Sequence, residues 1–275
     1  MNQTKKPALI AEIGWNHMGD MDLARKMIDA AHTSGADFAK FQTWSVQRLK
    51  EGDWDTDGRR QIYEKAELTP ERHRELMAHC AKTGIQFLTS VCSLPDAELV
   101  HSLGLRIVKI PSMDCRNKEL VNFCLEQFDE VIISTGTSKL DEVKALIALP
   151  QAVEKLTLMH CVSAYPCDPK NIHLPKIPFL QSLHDRVGFS DHTQGIDCSL
   201  MALQYDPVYV EKHFTIDKSL PGRDNQFAVL PEEMKKLKDF IEKRADALIE
   251  HSTDYQSIEE AARISYSGRF DKKFE

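Results

Sequence analysis

Short apolar runs alternate with longer amphipathic stretches along the whole chain. The runs are Ala8–Ile13, Phe38–Phe41, Gln86–Ser90, Arg106–Ile110, Val131–Ser134, Leu156–Cys161, Val187–Phe189 and Val208–Glu211. Each has the length of a strand, and all but Leu156–Cys161 carry Val, Ile or Phe, residues that suit a pleated, buried surface. The stretches between them follow helical spacing. Leu23, Met27, Ile28 and Ala31 fall on one helix face. Leu76, Cys80 and Ala81 do the same after Thr69-Pro70-Glu71, where Thr69 can cap and Pro70 fits a first turn. Leu140, Val143, Leu146 and Ile147 form a third stripe. Met234, Leu237, Ile241, Ala245 and Leu248 form the last, after Pro231.

Eight such alternations predict eight parallel strands closed into a single (β/α)8 TIM barrel, an α/β fold. An open doubly wound sheet would more often show a Gly-rich turn after its first strand, and GxGxxG is absent. The inter-strand segments differ in length and sequence, which argues against repeats. Asp53–Arg60 is read as a polar loop inside the second βα segment. The barrel is expected over residues 1–251, followed by a polar tail over 252–275 with a short helix at Ile258–Ile264.

Composition narrows this picture. With 42% hydrophobic and 28% charged residues, the chain can bury a large core and is neither disordered nor collagen-like. The formal charge is −7 and no long basic block occurs, so neither nucleic acid nor an acidic membrane is expected as a partner. No stretch approaches the roughly 18–20 apolar residues of a membrane span. Lys5-Lys6 before Ala8–Ala11 faintly resembles a signal peptide, but Glu12 and Asn16-His17 interrupt the run and no cleavage site follows. The seven cysteines are odd in number and lack a CxxC pair, so reduced, mostly buried thiols and a cytoplasmic protein are expected.

A barrel of this kind carries its chemistry at the C-terminal ends of its strands. Polar or ionisable groups stand at all eight predicted ends: Glu12 with Asn16-His17, Lys40 and Gln42, Thr89-Ser90, Lys109 and Ser112, Ser134-Thr135-Gly136, His160 with Ser163 and Tyr165, Ser190 to Thr193, and Glu211 to His213. One polar residue at a strand end is ordinary. A full ring of them implies a polar pocket with several titratable groups. Lys40 and Lys109 sit inside apolar runs, so each is either half of a buried ion pair or a contact for an anion. Ser112, Ser134 and Ser190 could add neutral donors. His192 and His213 end consecutive strands, which suits either a divalent metal with open positions or a hydrogen-bonded pair. His17 and His160 are read as packing residues. Glu12, Asp114, Glu211 and Asp224 could hold sugar hydroxyls, carry a proton or orient a histidine. For Glu211 the bland alternative is a salt bridge to Lys212 or Lys40. The residues alone thus point to a barrel enzyme for a small anionic substrate, with metal assistance.

In order along the chain, the segments 11–19, 35–43, 109–112, 134–136, 160–166, 188–195 and 211–215 resemble the sialic acid synthases. These are the N-acetylneuraminate synthases and their relatives making legionaminic, pseudaminic and spore-coat nonulosonic acids. The resemblance runs from about Ala8 to about Ile249. It implies the same barrel and a reaction joining phosphoenolpyruvate to an N-acetylmannosamine-like amino sugar with release of phosphate. It further implies that Lys40, Ser90, Lys109, Ser112, Ser134, Ser163 and Ser190 hold phosphoenolpyruvate. Glu12, Gln42, Asp114, Tyr165 and Asp224 would face the sugar. His192 and His213 would bind Mn²⁺, with Mg²⁺ or Co²⁺ as alternatives. Glu12 is the first general acid/base candidate, with Glu211 and Tyr165 beside the reacting centre.

The sequence also departs from the family. Within Gly222–Pro231, Asn225 stands for the usual His and Ala228 for the usual Ser. The family's C-terminal antifreeze-protein-like domain is expected to be absent, with the tail read as a remnant of the linker to it. In relatives that domain reaches over the partner's barrel and offers an Arg to the sugar. Arg223 or a residue of Asp53–Arg60 is the expected substitute. A homodimer, or a separate chain supplying the lid, would follow from the resemblance. The rivals are a synthase for a different or phosphorylated aldose, as in the octulosonate and heptulosonate phosphate synthases, and a non-catalytic barrel binding a sugar or a partner.

Overall fold

The fold is seen in a computed structural model, which describes residues 6–270. Met1–Lys5 and the last five residues of the tail, on which parts of the expectations fall, lie outside the described residues. Eight strands form a closed parallel barrel in chain order: β1 (Ala8–Gly14), β2 (Phe38–Thr43), β3 (Gln86–Val91), β4 (Ile107–Ile110), β5 (Glu130–Ser134), β6 (Leu156–His160), β7 (Val187–Asp191) and β8 (Tyr209–His213). β1 pairs with both β2 and β8, which closes the ring. The (β/α)8 expectation therefore holds.

Alternation along each strand sorts the side chains into two sets. Ile10, Phe38, Leu88, Ile132, Met159 and Tyr209 point inward and pack together as a dry barrel floor. Gly188 belongs to this floor because a Cβ there would meet the Met159 sulfur and stand 3.0 Å from Tyr209 Cβ. The outward set, such as Leu9, Ala11, Ala39 and Val210, packs against the helix stripes anticipated above: Ala24, Met27, Ile28 and Ala31 of one helix and Met234, Leu237 and Ile241 of another. Thr69 caps the helix Pro70–Thr83 by accepting from the Arg72 N–H, with Pro70 in its first turn. Burying these apolar faces against the sheet is the main favourable term for the barrel.

Two expectations change. β7 and β8 run two residues past their apolar cores, through Asp191 and His213. Their upper inward positions are polar because they face a cavity, so hydropathy alone ends the strands too early. The second βα segment is also not a plain loop. Asp53–Asp55 is a 3₁₀ turn, and the helix Arg59–Ala66 begins inside the stretch read as polar loop. Gly58 turns the chain at φ +87°, where glycine carries no steric cost, and Asp57 Oδ1 accepts from the Arg59 N–H at 3.1 Å. In the tail, a 3₁₀ turn at Ser257–Glu259 leads into the helix Glu260–Tyr266, and neither has a buried residue. The cysteines are all free, and only Cys92 is not buried. Among the described residues, no helix is long and apolar enough to cross a membrane.

Candidate active site

Above the floor, the next inward positions are polar on most strands. They open into one cavity of about 320 Å³ at the C-terminal end of the barrel. Glu12, Lys40, Gln42, Ser90, Lys109, Ser112, Ser134, Tyr165, Ser190, His192, Glu211, His213 and Asp224 all line it. Each residue except Ser112, Tyr165, His192 and Asp224 sits on a strand, two or four positions beyond an inward residue or at the strand end, and His192 directly follows β7, so the rigid sheet aims it.

The two lysines are paired. Lys40 Nζ donates to Glu12 Oε2 at 2.5 Å and to Ser90 Oγ at 3.1 Å, and lies 3.6 Å from Glu211 Oε2. Lys109 Nζ donates to Glu211 Oε1 at 2.5 Å, and Ser190 Oγ donates to the same oxygen at 2.9 Å. The ion-pair reading of the lysines is therefore realised, in a cluster that also lines the cavity. Glu211 takes Lys109 as its close partner. Lys212 is on the opposite face of β8 and pairs with Asp191 instead.

Electrostatics separate the two carboxyls. Burial raises the pKa of Glu12 above the usual carboxylate range, and Lys40 only partly offsets it. For Glu211 burial acts in the same direction, but Lys109 and Lys40 together outweigh it and hold its carboxyl below the usual range. Burial works against the Lys40 ammonium too, and Glu12 and Glu211 more than compensate, so its pKa is raised. Gln42 Nε2 donates to Glu12 Oε1 at 2.7 Å and fixes the plane of that carboxyl.

His192 and His213 meet, with ring centroids 5.5 Å apart. Tyr165 packs over His192 at 4.3 Å between centroids. Burial lowers His192 to about 4 and His213 well below its ordinary value, so both rings are neutral at pH 7. His192 Nδ1–H donates to the Val162 carbonyl at 2.8 Å, which turns the Nε2 lone pair to the pocket side, where Ser190 Oγ lies 3.5 Å away. His213 Nδ1 is buried without a hydrogen-bond partner, 3.8 Å from Asp224 Oδ2. This donor set fits a divalent cation: two neutral imidazoles, one oriented by a backbone carbonyl. Among the described residues, no three His, Cys, Asp or Glu side chains form a ready cage. Water and substrate would have to complete the shell.

Not every expected residue reaches the cavity. Asp114 stands in the 3₁₀ turn Ser112–Asp114 and is not part of the lining, whereas the neighbouring Met113 is. Burial and the nearby Asp96 push Asp114 up to about 6. Ser163 sits just behind the wall, beside the position a Cβ on Gly136 would take. His160 faces outward, its Nε2 2.8 Å from the Ile172 carbonyl. Conversely, Trp15, Arg59, Tyr63, Cys92, Pro111, Met113, Cys161 and Arg223 line the cavity. Of these, only Arg223 and Arg59 lay within the expectations. Trp15 and Tyr63 meet edge to face at 5.8 Å. Trp15, Cys92, Pro111 and Cys161 each stand one residue past a strand end, but their side chains are not ionisable at neutral pH and were not singled out as site groups; Tyr63 and Met113 come from the helix Arg59–Ala66 and the turn Ser112–Asp114, which the strand pattern does not locate.

Comparison with known proteins agrees with this fold. The profile of the NeuB family matches residues 27–253. The N,N'-diacetyllegionaminic acid synthase of Campylobacter jejuni is 36% identical over 252 residues, covering 85% of this chain and 75% of that protein. The enzyme of the same name from Legionella pneumophila is 34% identical over 250 residues, covering 83% and 69%. Among solved structures, the N-acetylneuraminic acid synthetase of Leptospira borgpetersenii superposes with a TM-score of 0.82 at 28% identity, covering 95% of this chain and 93% of that one.

Proposed function

The chain belongs to the NeuB family and is an enzyme of its synthase type, and from that premise we propose that it condenses phosphoenolpyruvate with an N-acetylmannosamine-like amino sugar. The products are a nonulosonic acid and phosphate. The observation that carries this reading is the buried Lys40–Glu12 and Lys109–Glu211 cluster at the base of a hydroxyl-lined cavity.

Lys40 and Lys109 hold the phosphate and carboxylate of phosphoenolpyruvate, exchanging glutamate oxygens for substrate oxygens. Ser90, Ser112, Ser134 and Ser190 add neutral donors from four neighbouring positions, with Ser163 behind them. The sugar lies toward the mouth, against Gln42, Tyr165, Asp224, Trp15 and Tyr63. Arg59 and Arg223 stand there as the cations nearest to solvent. His192 and His213 would hold a divalent cation, Mn²⁺ first, which when bound would supply Lewis-acid polarisation of the sugar aldehyde oxygen. The C3 methylene of phosphoenolpyruvate attacks the C1 aldehyde carbon. Water adds to the cationic C2 and gives one proton to the carboxylate that Glu12 becomes on protonating the aldehyde oxygen, and the tetrahedral centre expels phosphate by C–O cleavage, its hydroxyl proton leaving with the phosphate. Glu12, whose carboxyl burial raises above the usual range, is the group placed to protonate the oxygen that was the aldehyde. Much of the rate comes from holding two substrates at reacting distance on rigid strand ends.

The test is phosphate release from phosphoenolpyruvate with a panel of free and phosphorylated aldoses, after EDTA and after Mn²⁺ addition. Release with N-acetylmannosamine-like sugars, lost in EDTA and restored by Mn²⁺, supports the proposal. Release only with phosphorylated or unsubstituted aldoses would reassign the sugar. Undiminished release in EDTA would remove the metal, and no release with any aldose would refute the reaction.

A further inference from the structure

β7 and β8 carry a second charged pair, on the face of the sheet turned away from the cavity. Asp191 and Lys212 are opposite one another in the strand register. Both are essentially inaccessible, at 1% exposure each. Lys212 Nζ lies 3.3 Å from Asp191 Oδ2 and donates to the Thr193 carbonyl at 2.6 Å. Asp191 Oδ1 accepts from the Thr193 N–H and hydroxyl, both at 2.8 Å, and Oδ2 accepts from Ser199 Oγ at 2.6 Å. The layer between sheet and helices elsewhere around these strands is apolar.

A buried ion pair is a poor device for stability alone, because apolar residues of similar size usually do as well. Its position gives it another use. The residues immediately after Asp191 and Lys212 are His192 and His213. Asp191 precedes His192 and Thr193 follows it, and both are tied to Lys212, the residue before His213. The network therefore brackets His192 on both sides and fastens it to the strand that carries His213. We infer that the Asp191–Lys212 pair is a positioning clamp that sets the separation and aim of the two imidazoles. This rests on the metal reading above. Neither residue touches the cavity, so both act through the histidines.

The test uses the full chain with both charges removed together, Asp191→Leu with Lys212→Met, so that no lone buried charge is left. Three measurements are made: the circular dichroism melt, Mn²⁺ affinity by calorimetry, and carbon–proton spectra of metal-free, histidine-labelled protein. A clamp predicts a folded variant whose Mn²⁺ affinity falls about tenfold or more, the range seen when groups orienting metal ligands are lost. The His192 and His213 signals should move, while that of His73, which bonds Thr43 on the β2 side, should not. A folded variant with unmoved His192 and His213 signals overturns the inference. If the wild-type chain itself takes up no Mn²⁺, the metal reading falls, and the metal-free spectra still decide the clamp. If the double variant does not fold, Ser199→Ala and Thr193→Val loosen the same network with both charges kept. Smaller shifts confined to the same two histidines then support the clamp, and their absence overturns it.

Discussion

Replacing Lys109 with Met removes an ammonium 2.5 Å from Glu211 Oε1 while keeping most of the side-chain volume. Glu211 is then left 3% exposed, with Lys40 at 3.6 Å and Ser190 at 2.9 Å as its nearest partners. Breaking a buried pair from one side costs ~3–5 kcal/mol, because the surviving charge has lost its compensation. Lys40 and Ser190 stay in place, so the expected loss is at the lower end, about 3 kcal/mol. In a chain of this size that lowers Tm by roughly 5 °C. Replacing both partners, Lys109→Met with Glu211→Met, should recover most of the loss, since an apolar pair of similar volume is about neutral. Thermal melts of the wild type, both single variants and the double variant at pH 7 form the assay.

The pH dependence adds a signed check. Burial pushes the Glu211 carboxyl up, and Lys109 and Lys40 together hold it below its ordinary 4.5. A depressed carboxyl contributes stability that is present above the unfolded pKa and lost as pH falls through the folded one. The wild type should therefore lose stability progressively below about pH 4.5, and the Lys109→Met variant should lose less over that window. If the double variant is as unstable as Lys109→Met at pH 7, the cost is not that of an uncompensated Glu211, and the pairing argument fails.

Gly136→Ala places a methyl against Ser163 Oγ, 2.8 Å from Cys161 Sγ and 2.9 Å from Ser112 Oγ; overpacking of ~1–3 kcal/mol and a raised KM for phosphoenolpyruvate should follow. An unchanged KM in steady-state kinetics would show that this corner does not face the substrate. Arg59→Ala and Arg223→Ala should each raise the sugar KM about tenfold, the worth of a charge-assisted hydrogen bond, and leave the phosphoenolpyruvate KM alone. A sugar KM that moves in neither variant removes the arginines from the sugar site. Asp114 is raised from 3.8 to about 6 by burial and then by Asp96, so its contribution is present at low pH and lost as pH rises through that range. Asp114→Asn should therefore gain on the wild type between pH 4 and 6, by on the order of 2 kcal/mol after solvent screening, and hold that gain above; urea denaturation at pH 4 and 7 checks it.

The barrel was legible because parallel strands buried on both faces read as apolar runs, and the helices between them carry stripes. The inward polar set was legible for a related reason. Lys40 and Lys109 interrupt apolar strands, and a strand admits such a residue only where something awaits it. What the sequence could not show is pairing. Glu12 and Lys40 are adjacent in the β1–β2 register, but Lys109 and Glu211 sit on β4 and β8 and meet only across the barrel interior. Nor could spacing tell inward from outward at the strand ends. Asp191 and Lys212 stand beside His192 and His213 in sequence and on opposite faces of the sheet. The helix Arg59–Ala66 was hidden because Asp53–Arg60 is almost wholly polar, and its turn depends on one side-chain acceptor, Asp57, and one glycine.

The pairing also bears on what the pocket can accept. Two ammonium groups alone in a barrel interior would shed their protons instead of waiting for a ligand. Glu12 and Glu211 hold the Lys40 ammonium charged, and Lys109 is matched by Glu211, so charges of both signs balance within the cluster and the chain's overall −7 says little about it. An entering anion must replace a carboxylate oxygen at each lysine. A monoanion can satisfy one lysine and leaves the other with its glutamate. A ligand with two anionic ends, spaced to reach both Lys40 and Lys109, can satisfy both at once and free the two glutamates. As the lysines turn to the ligand, both carboxyls lose the charges that held them down, and Glu12, which burial already raises, becomes the better placed to give a proton. A phosphate and a carboxylate on one small molecule meet that requirement, which is why the ion pairs and the proposed substrate belong to the same argument.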